Sequence, residues 1–520
     1  MYGKEIEQIY RDMNALQLEN PIDWWDLFAM VVRTATMKYC KEKSKTRKGL
    51  KDSIQVGMTR LEAVDNDTMT MEQKQDLAYL KAKYDEIIEE EIKGHQIRTK
   101  GQPSFEINEP NIEYYFKLEQ RSRQKNIITH LQDDKGKTST TNEDMIAIAE
   151  SFYSKLYTPS VTDIQRQQQL LRNIDKNISA EDRRKLDAIL TIEELTEAVF
   201  QQKDGKSPGP DGITAEFYKA FWYLIQHNYL AYINASKQSQ FSDYKNTSVT
   251  TIIYKRKGET FLLTNYRPIS LINVDLKILS KALTNRLRPI LHKIIHASQT
   301  AVDGRKIDHT VHLLRDLIDL VDRENDQAAF IFLDQEKAFD RVDHKFLFKT
   351  MEAFGIGPSY IDWVKVLYSN ASTKIKINGY LSRNIPLNRG VRQGCPLSML
   401  LYVLVIEILA LQLRKNENIV GFKINGEKIV SLHYADDAVI TIKQNKCFKE
   451  VIKELENYQL ATGALVNYKK TEGLWVGHWR YRTDTPMNIT WTSGNVKTLG
   501  VYFGNDNLDI ETFEEIIPKV

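Results

Sequence analysis

Three aspartates stand where carboxylates can do chemistry. Asp334 directly follows the apolar run Phe330–Leu333, at the predicted end of a buried strand. Asp436 and Asp437 separate two apolar runs within Ser431–Ile442, the pattern of a hairpin with an acidic tip. Aspartate favours turns, so the acidic pair alone reads as structural. A strand-end aspartate from another segment changes that reading, because converging carboxylates cannot all stay ionised without a cation. Hard oxygen donors suit Mg²⁺, with Mn²⁺ as a substitute, and Mg²⁺ keeps waters and binds substrate phosphates. Two such ions about 3.5–4 Å apart can activate a hydroxyl and stabilise a phosphate leaving group. Asp340 and Asp343 are nearby acids that read as a loop residue or a helix N-cap.

The elements that must hold these acids are legible in outline. From about residue 236 the pattern is mixed α and β. Strands are expected at Val249–Lys257, Ala328–Asp340 and Lys374–Gly379, and helices at Leu271–Ile295 and Leu397–Leu413. Residues 1–100 read as two or three long, partly exposed helices, one of them over Leu77–Gly94. Within them the basic tract Lys41–Lys48 reads as a solvated helix face, with a nuclear signal or nucleic-acid patch as the alternative. Residues 94–143 are polar, with a turn at Asp133–Lys137. Helical patterns resume at Asn142–Tyr157 and Ile192–Gln202. Gly205–Gly212, with three Gly and two Pro, can only be a rigid loop.

Composition bounds the rest. A chain of 520 residues holds about three domains. Its net charge of +3 says little about partners. Locally the charge is uneven: residues 251–293 carry nine basic side chains against Glu259 and Asp275, the footprint of a nucleic-acid binder. Three scattered cysteines without a Cys-x-x-Cys pair argue against a zinc site or a disulfide framework and for a reducing compartment. The polar N-terminus lacks a signal-peptide core. The apolar stretch Gly394–Ile406 falls short of the roughly 20 residues that span a bilayer. The chain therefore reads as soluble and intracellular, with no membrane partner.

Seven segments, in order, resemble the reverse transcriptases of non-LTR (LINE-type) retrotransposons. They are GKSPGPDG (205–212), NYRPISLINVDLKILSKALTNRL (265–287), FLDQEKAFDRVDH (332–344), GVRQGCPLSMLLY (390–402), YADDAVI (434–440), GALVNYKKTE (463–472) and LGVYFG (499–504). FYSKLYT (152–158) resembles the family's linker. The resemblance is weakest over the first 90 residues. One four-residue acidic motif is common by chance; seven ordered blocks over about 300 residues are not.

The resemblance implies an α+β right-hand polymerase, with fingers and a ferredoxin-like palm behind a helical N-terminal extension. It implies an extension at 1–100, a linker and the start of the fingers at 101–235, a reverse transcriptase domain at 236–504 and a tail at 505–520 in which the thumb is truncated. It implies that Asp334, Asp436 and Asp437 are the catalytic metal ligands for two Mg²⁺ ions, and that Lys470 is the general acid for pyrophosphate. Phe339 would exclude a 2′-hydroxyl, selecting deoxynucleotides. Gln393 and Gly394 would support the template base and incoming nucleotide, and Arg267 would clamp the triphosphate. Lys255, Lys257, Lys281 and Arg286 would hold the template–primer backbone. Leu499-Gly500 resembles the hairpin that grips the primer. Met399 stands where the family usually has proline, which is expected to loosen the start of its helix.

The implied partners are an RNA template, a DNA primer and dNTPs, with an endonuclease in the full-length element protein. A nuclear location follows from the family's habit of priming on chromosomal DNA. Two alternatives stay open: a catalytically weak or dead nucleic-acid-binding relic, which truncation and Met399 favour, and an RNA-dependent RNA polymerase, which Phe339 opposes.

Overall fold

The computed structural model describes residues 2–504 apart from 66, 100–119, 121–123, 125 and 425. The first part of the expected linker, and the tail at 505–520, lie outside the described residues.

Helices come first: α1 (Tyr2–Ala15), α2 (Pro21–Glu62) and α3 (Met71–Thr99). Asn20 caps α2 by accepting from the Ile22 amide, and Pro21 occupies the first turn, where no amide donor is needed. The first half of α2 buries Trp24, Trp25, Phe28 and Val32 in the main core. The second half pairs with α3 through Arg47–Glu90 and Lys51–Glu91. The tract Lys41–Lys48 lies almost wholly exposed on this half of α2.

A short hairpin, β1 (Leu131–Gln132) and β2 (Thr138–Ser139), turns at Asp133, whose carboxylate accepts from the amides of Lys135 and Lys137. Helices α4 (Asn142–Tyr157), α5 (Ile164–Arg172), α6 (Ala180–Asp187), α7 (Ile192–Phe200), α8 (Ala215–Ser239) and α9 (Asp243–Asn246) follow. Between α7 and α8 runs the Gly- and Pro-rich loop. Gly209 packs so closely on Asn273 that a Cβ would lie 2.4 Å from its backbone nitrogen.

Two five-stranded sheets organise the remainder. The first has the order β4-β3-β6-β7, with β8 also on β6. Its members are β3 (Thr247–Tyr254), β4 (Tyr266–Leu271), β6 (Ser372–Ile377), β7 (Tyr380–Leu381) and β8 (Ile385–Pro386). Helix α10 (Val274–Ile294) leaves β4, and α11 (Ile307–Arg323) leads to the second sheet.

That sheet has the order β11-β12-β5-β13-β14. Its central strand, β5 (Gln327–Leu333), is buried from Ala328 to Leu333, as its apolar run requires. Around it lie β11 (Ser431–Tyr434), β12 (Asp437–Ile442), β13 (Glu472–Gly477) and β14 (Thr490–Thr492). All neighbours pair antiparallel except β13 with β14. Helices α12 (His344–Ala353), α13 (Pro358–Tyr368), α14 (Ser398–Lys415) and α15 (Cys447–Thr462) complete the core. Two further hairpins are β9 (Phe422–Ile424) with β10 (Glu427–Ile429), and β15 (Asn495–Thr498) with β16 (Val501–Gly504). The architecture is mixed helix and sheet, as expected for an α+β chain.

Candidate active site

The register of the second sheet brings the acids together. Leu333, the last residue of β5, pairs with Ala438 of β12, so Asp334 and Asp437 leave adjacent strands at the same edge. Asp334 is fixed through its backbone: its amide donates to Thr471 Oγ1 (3.2 Å) and its carbonyl accepts from the Asn467 amide (2.8 Å). Tyr434 pairs with Asp437, leaving Ala435 and Asp436 as a two-residue turn. Ala435 takes a left-handed φ of 53°, a strained conformation for a residue with a side chain. Its amide donates to the buried Gln299 Oε1 at 3.0 Å, which holds the turn. Gln299 was invisible to sequence reasoning, since it belongs to no motif among those that carry the acids.

The electrostatics follow from this convergence. Burial, then the charges of Asp436 and Asp334, push the Asp437 carboxyl up to about 6. Asp436 is also raised, by burial and then by Asp334, against the lowering pull of Arg267. Among the described residues no three acid, histidine or cysteine side chains are gathered tightly enough to enclose a cation. Three aspartates that repel one another are nonetheless a donor set that positive charge would relieve, and their hard oxygens fit a divalent cation.

A cationic side faces the acids. Lys255, at the end of β3, is held down by burial and by the charges of Lys470 and Arg267, with Asp334 opposing. The fold thus gathers Lys255, Arg267, Lys470 and Asp334 from three distant segments. Lys337, half-buried, joins them. Burial lowers its amine to about 8, and Asp340, Lys255 and Lys470 are among its charged neighbours. Its Nζ donates to the Tyr266 carbonyl at 3.1 Å. The reading of the sequence passed over Lys337, although its place between Asp334 and Phe339 was a signal.

Phe339 sits in a single 3₁₀ turn, Ala338–Arg341, entered through the left-handed Lys337. Its ring stacks on Tyr402 of α14, and its carbonyl accepts from the Val391 amide at 2.8 Å. Gln393 accepts from the Ser270 amide at 3.3 Å. The adjoining Gly394 has φ 103°, and a Cβ there would lie 2.8 Å from the Ser270 carbonyl oxygen, so glycine is required. Asp343 caps α12 by accepting from the Phe346 amide at 2.7 Å. Asp340 is buried, and its Oδ2 has no hydrogen-bond partner among the described residues.

Other candidates lie apart. Lys257 is exposed in the turn after β3. Lys281 sits on α10 and lines a separate cavity with Gly394. Arg286 requires a correction. Its guanidinium makes a forked ion pair with Glu194 (2.6 and 2.7 Å) and donates to the carbonyls of Leu186, Ala188 and Ile189. With its side chain 9% exposed, it ties α10 to α7 and has no free donor to offer a phosphate. Met399 does not prevent α14 from starting at Ser398, whose hydroxyl donates to the Arg392 carbonyl at 2.7 Å. Leu499 and Gly500, both at positive φ, form the turn of the β15–β16 hairpin.

Residues 253–503, which contain Lys255, Arg267, Gln299, Asp334, Phe339, Gln393, Gly394, Asp436, Asp437 and Lys470, match the family described as reverse transcriptase (RNA-dependent DNA polymerase). Over these residues the chain is similar to reverse transcriptases. One relative extends the likeness over nearly the whole chain. The Transposon TX1 uncharacterized 149 kDa protein of Xenopus laevis is 30% identical over 98% of this chain and 39% of its own length. The Retrovirus-related Pol polyprotein from type-1 retrotransposable element R2 of Popillia japonica is 27% identical over 43% of this chain and 32% of its own. The RNA-directed DNA polymerase from mobile element jockey of Drosophila melanogaster is 26% identical over 49% and 26%. The chain thus spans well under half the length of these relatives. The names of these relatives are those of transposon and retrotransposable-element proteins, the kind that the order of this chain's motifs resembles. No helix among the described residues is long and apolar enough to cross a membrane.

Proposed function

We propose that this chain is an RNA-directed DNA polymerase that extends a primer 3′-hydroxyl with deoxynucleotides on an RNA template. One observation carries the reading. Asp334 and the Asp436–Asp437 turn, a hundred residues apart in sequence, leave paired strands at one edge, beside the Phe339 turn. In this reading the β11-β12-β5-β13-β14 sheet with its helices is the palm. The β4-β3-β6 sheet, with α7, α8 and the loop at 205–212, is the fingers, and α1–α3 are an N-terminal extension.

Asp334, Asp436 and Asp437 would hold two Mg²⁺ ions, for which Mn²⁺ could substitute. Bound there, divalent cations supply Lewis-acid activation of the primer hydroxyl and neutralise charge on the leaving pyrophosphate. The protein's own share is positioning and electrostatics. Arg267 and Lys255 draw the triphosphate towards the acids. Lys470 Nζ, on the same cationic side, serves as proton donor to the pyrophosphate oxygen. Phe339 closes the space that a 2′-hydroxyl would need, and Gln393 with Gly394 supports the template base. A nuclease supplied elsewhere in a longer element protein would provide the primer end.

Primer extension on poly(rA)/oligo(dT) with Mg²⁺, comparing wild type with Asp334→Asn, tests this. DNA synthesis lost in the variant supports the reading. Salt-sensitive duplex binding without synthesis by the wild type favours a binding relic instead.

A further inference from the structure

Helix α4 carries the segment FYSKLYT, and it does more than connect. Met145, Ala149, Tyr153 and Leu156 recur at helical spacing and share a core with Ile375 and Ile377 of β6. The same helix packs against the 3₁₀ turn Ala338–Arg341 that carries Phe339. Two charged residues flank Phe339 there, and each meets an aromatic of α4. Lys337 Nζ lies 5.7 Å from the centre of the Phe152 ring, within reach of cation–π attraction. Asp340 is near enough to Tyr153 and Tyr157 that its charge adds to burial in making both phenols harder to ionise. Tyr153 Oη and Asp340 Oδ2 are both buried without a hydrogen-bond partner among the described residues. A donor and an acceptor thus stand open at one interface, and closing it would let each satisfy the other.

A short backbone segment ties the helix to the turn as well. Arg389, buried, donates from Nε to the Leu156 carbonyl at 2.6 Å, one of the last carbonyls of α4, and from Nη1 to Ser160 Oγ at 2.7 Å. The next two residues hold the turn: the Gly390 amide donates to the Val342 carbonyl at 2.7 Å and the Val391 amide to Phe339. A Cβ on Gly390 would lie 2.8 Å from the Asp340 carbonyl oxygen, so the segment lies directly on the turn. The opposite support is fixed. Tyr266, whose carbonyl receives Lys337, begins β4, and β4 leads into the start of α10. There Lys245, wholly buried, bridges Asp211 and Asp275, each at 3.0 Å. Trp25 Nε1 of α2 donates to the same Asp275 carboxylate at 3.1 Å. A displacement of α4 therefore passes to the Phe339 turn through both side chains and backbone, while the frame across from it stays in place.

We propose that α4 is a specificity-determining element, with Phe152 and Tyr153 as positioning residues that hold the Phe339 turn against the sugar of the incoming nucleotide. The inference rests on the polymerase reading, which gives Phe339 its task. Neither residue touches the nucleotide. They act through Lys337 and Asp340, so loosening them widens the space beside Phe339 without removing any group that meets the substrate.

The test uses the full chain, with Phe152→Leu and, separately, Tyr153→Phe. Phe152 is half-buried and Tyr153→Phe removes one oxygen, and thermal melts check that both variants fold. Values of kcat/KM for dTTP and UTP on poly(rA)/oligo(dT) give the selectivity. Each variant is expected to lower the dTTP to UTP ratio several-fold, mainly by a rise for UTP. Amide hydrogen exchange, which needs no activity, should quicken at Asp340, Arg341, Gly390 and Val391 in both variants. A ratio unchanged in both overturns the proposal. So does an equal loss with both nucleotides, which a merely structural helix would give. If wild type adds neither nucleotide, the polymerase reading fails by itself. Exchange then decides whether α4 backs the turn, and unchanged rates at those four amides overturn that too.

Discussion

Phe339 lies nearly flat on Tyr402, with ring centroids 4.5 Å apart and planes 20° from parallel. Tyr402 is buried in α14, so the orientation of Phe339 is set from beneath by a residue shielded from solvent. Tyr402→Leu keeps an apolar side chain but removes the flat support. It is expected to lower discrimination between dNTP and rNTP by about tenfold, and Phe339→Val by more. The ratio of kcat/KM values for dTTP and UTP on one template measures this.

Removing one carboxylate of the proposed site should separate chemistry from binding. Asp436→Asn is expected to lower nucleotide addition by at least about a thousandfold while leaving template–primer binding within a factor of a few. Single-turnover extension and a filter-binding titration on the same preparation check both halves. Chelation of divalent ions should abolish synthesis by wild type, and added Mg²⁺ should restore it.

Lys245→Met would leave Asp211 and Asp275 facing one another in the core without their shared cation. Breaking a buried ion pair by removing one partner costs about 3–5 kcal/mol. Urea unfolding should show a lower midpoint, and Lys245→Met/Asp275→Asn should recover part of the loss.

Asp340 gives stability a pH dependence. Burial raises its carboxyl to about 6, with Lys337, Lys255, Arg341 and Arg389 pulling the other way. Between about pH 4 and pH 6 the folded protein therefore holds a proton that the unfolded chain has released. Stability from this group is highest below about pH 4 and falls as pH rises to 6. Asp340→Asn removes that fall and is expected to raise stability at pH 7 by about 2–3 kcal/mol, following from a shift of about two pH units. Denaturant midpoints of both proteins at pH 5 and pH 7.5 test the sign: the variant's advantage should grow with pH.

The acids were legible because each sits at a boundary that sequence marks well. An apolar run ends at Asp334, and two such runs flank Asp436 and Asp437. Helix ends with side-chain caps were legible for the same reason, as at Asn142–Tyr157, which begins after Thr141 and ends where the pattern ends. What escaped was pairing between distant side chains. Arg286 counted as one more basic residue in a basic stretch, since nothing local announces that Glu194 waits 92 residues upstream. Lys245 lies in no motif, and its partners are 34 and 30 residues away with no periodicity to join them. Gln299 works through one backbone amide, which leaves no mark on composition.

The contact between Trp25 and Asp275 spans 250 residues of chain. During synthesis at about 5–20 residues per second, roughly 12–50 s separate the appearance of the two. Through that interval Trp24, Trp25 and Phe28 have emerged while the helix and aromatic residues that will cover them are still being made. The N-terminal helices thus pass through a stage as a sticky nascent segment, dependent on a chaperone or on the ribosome surface for protection. A stall or premature stop before residue 275 would release a chain that aggregates, so incomplete translation products of this protein would be removed as well as inactive.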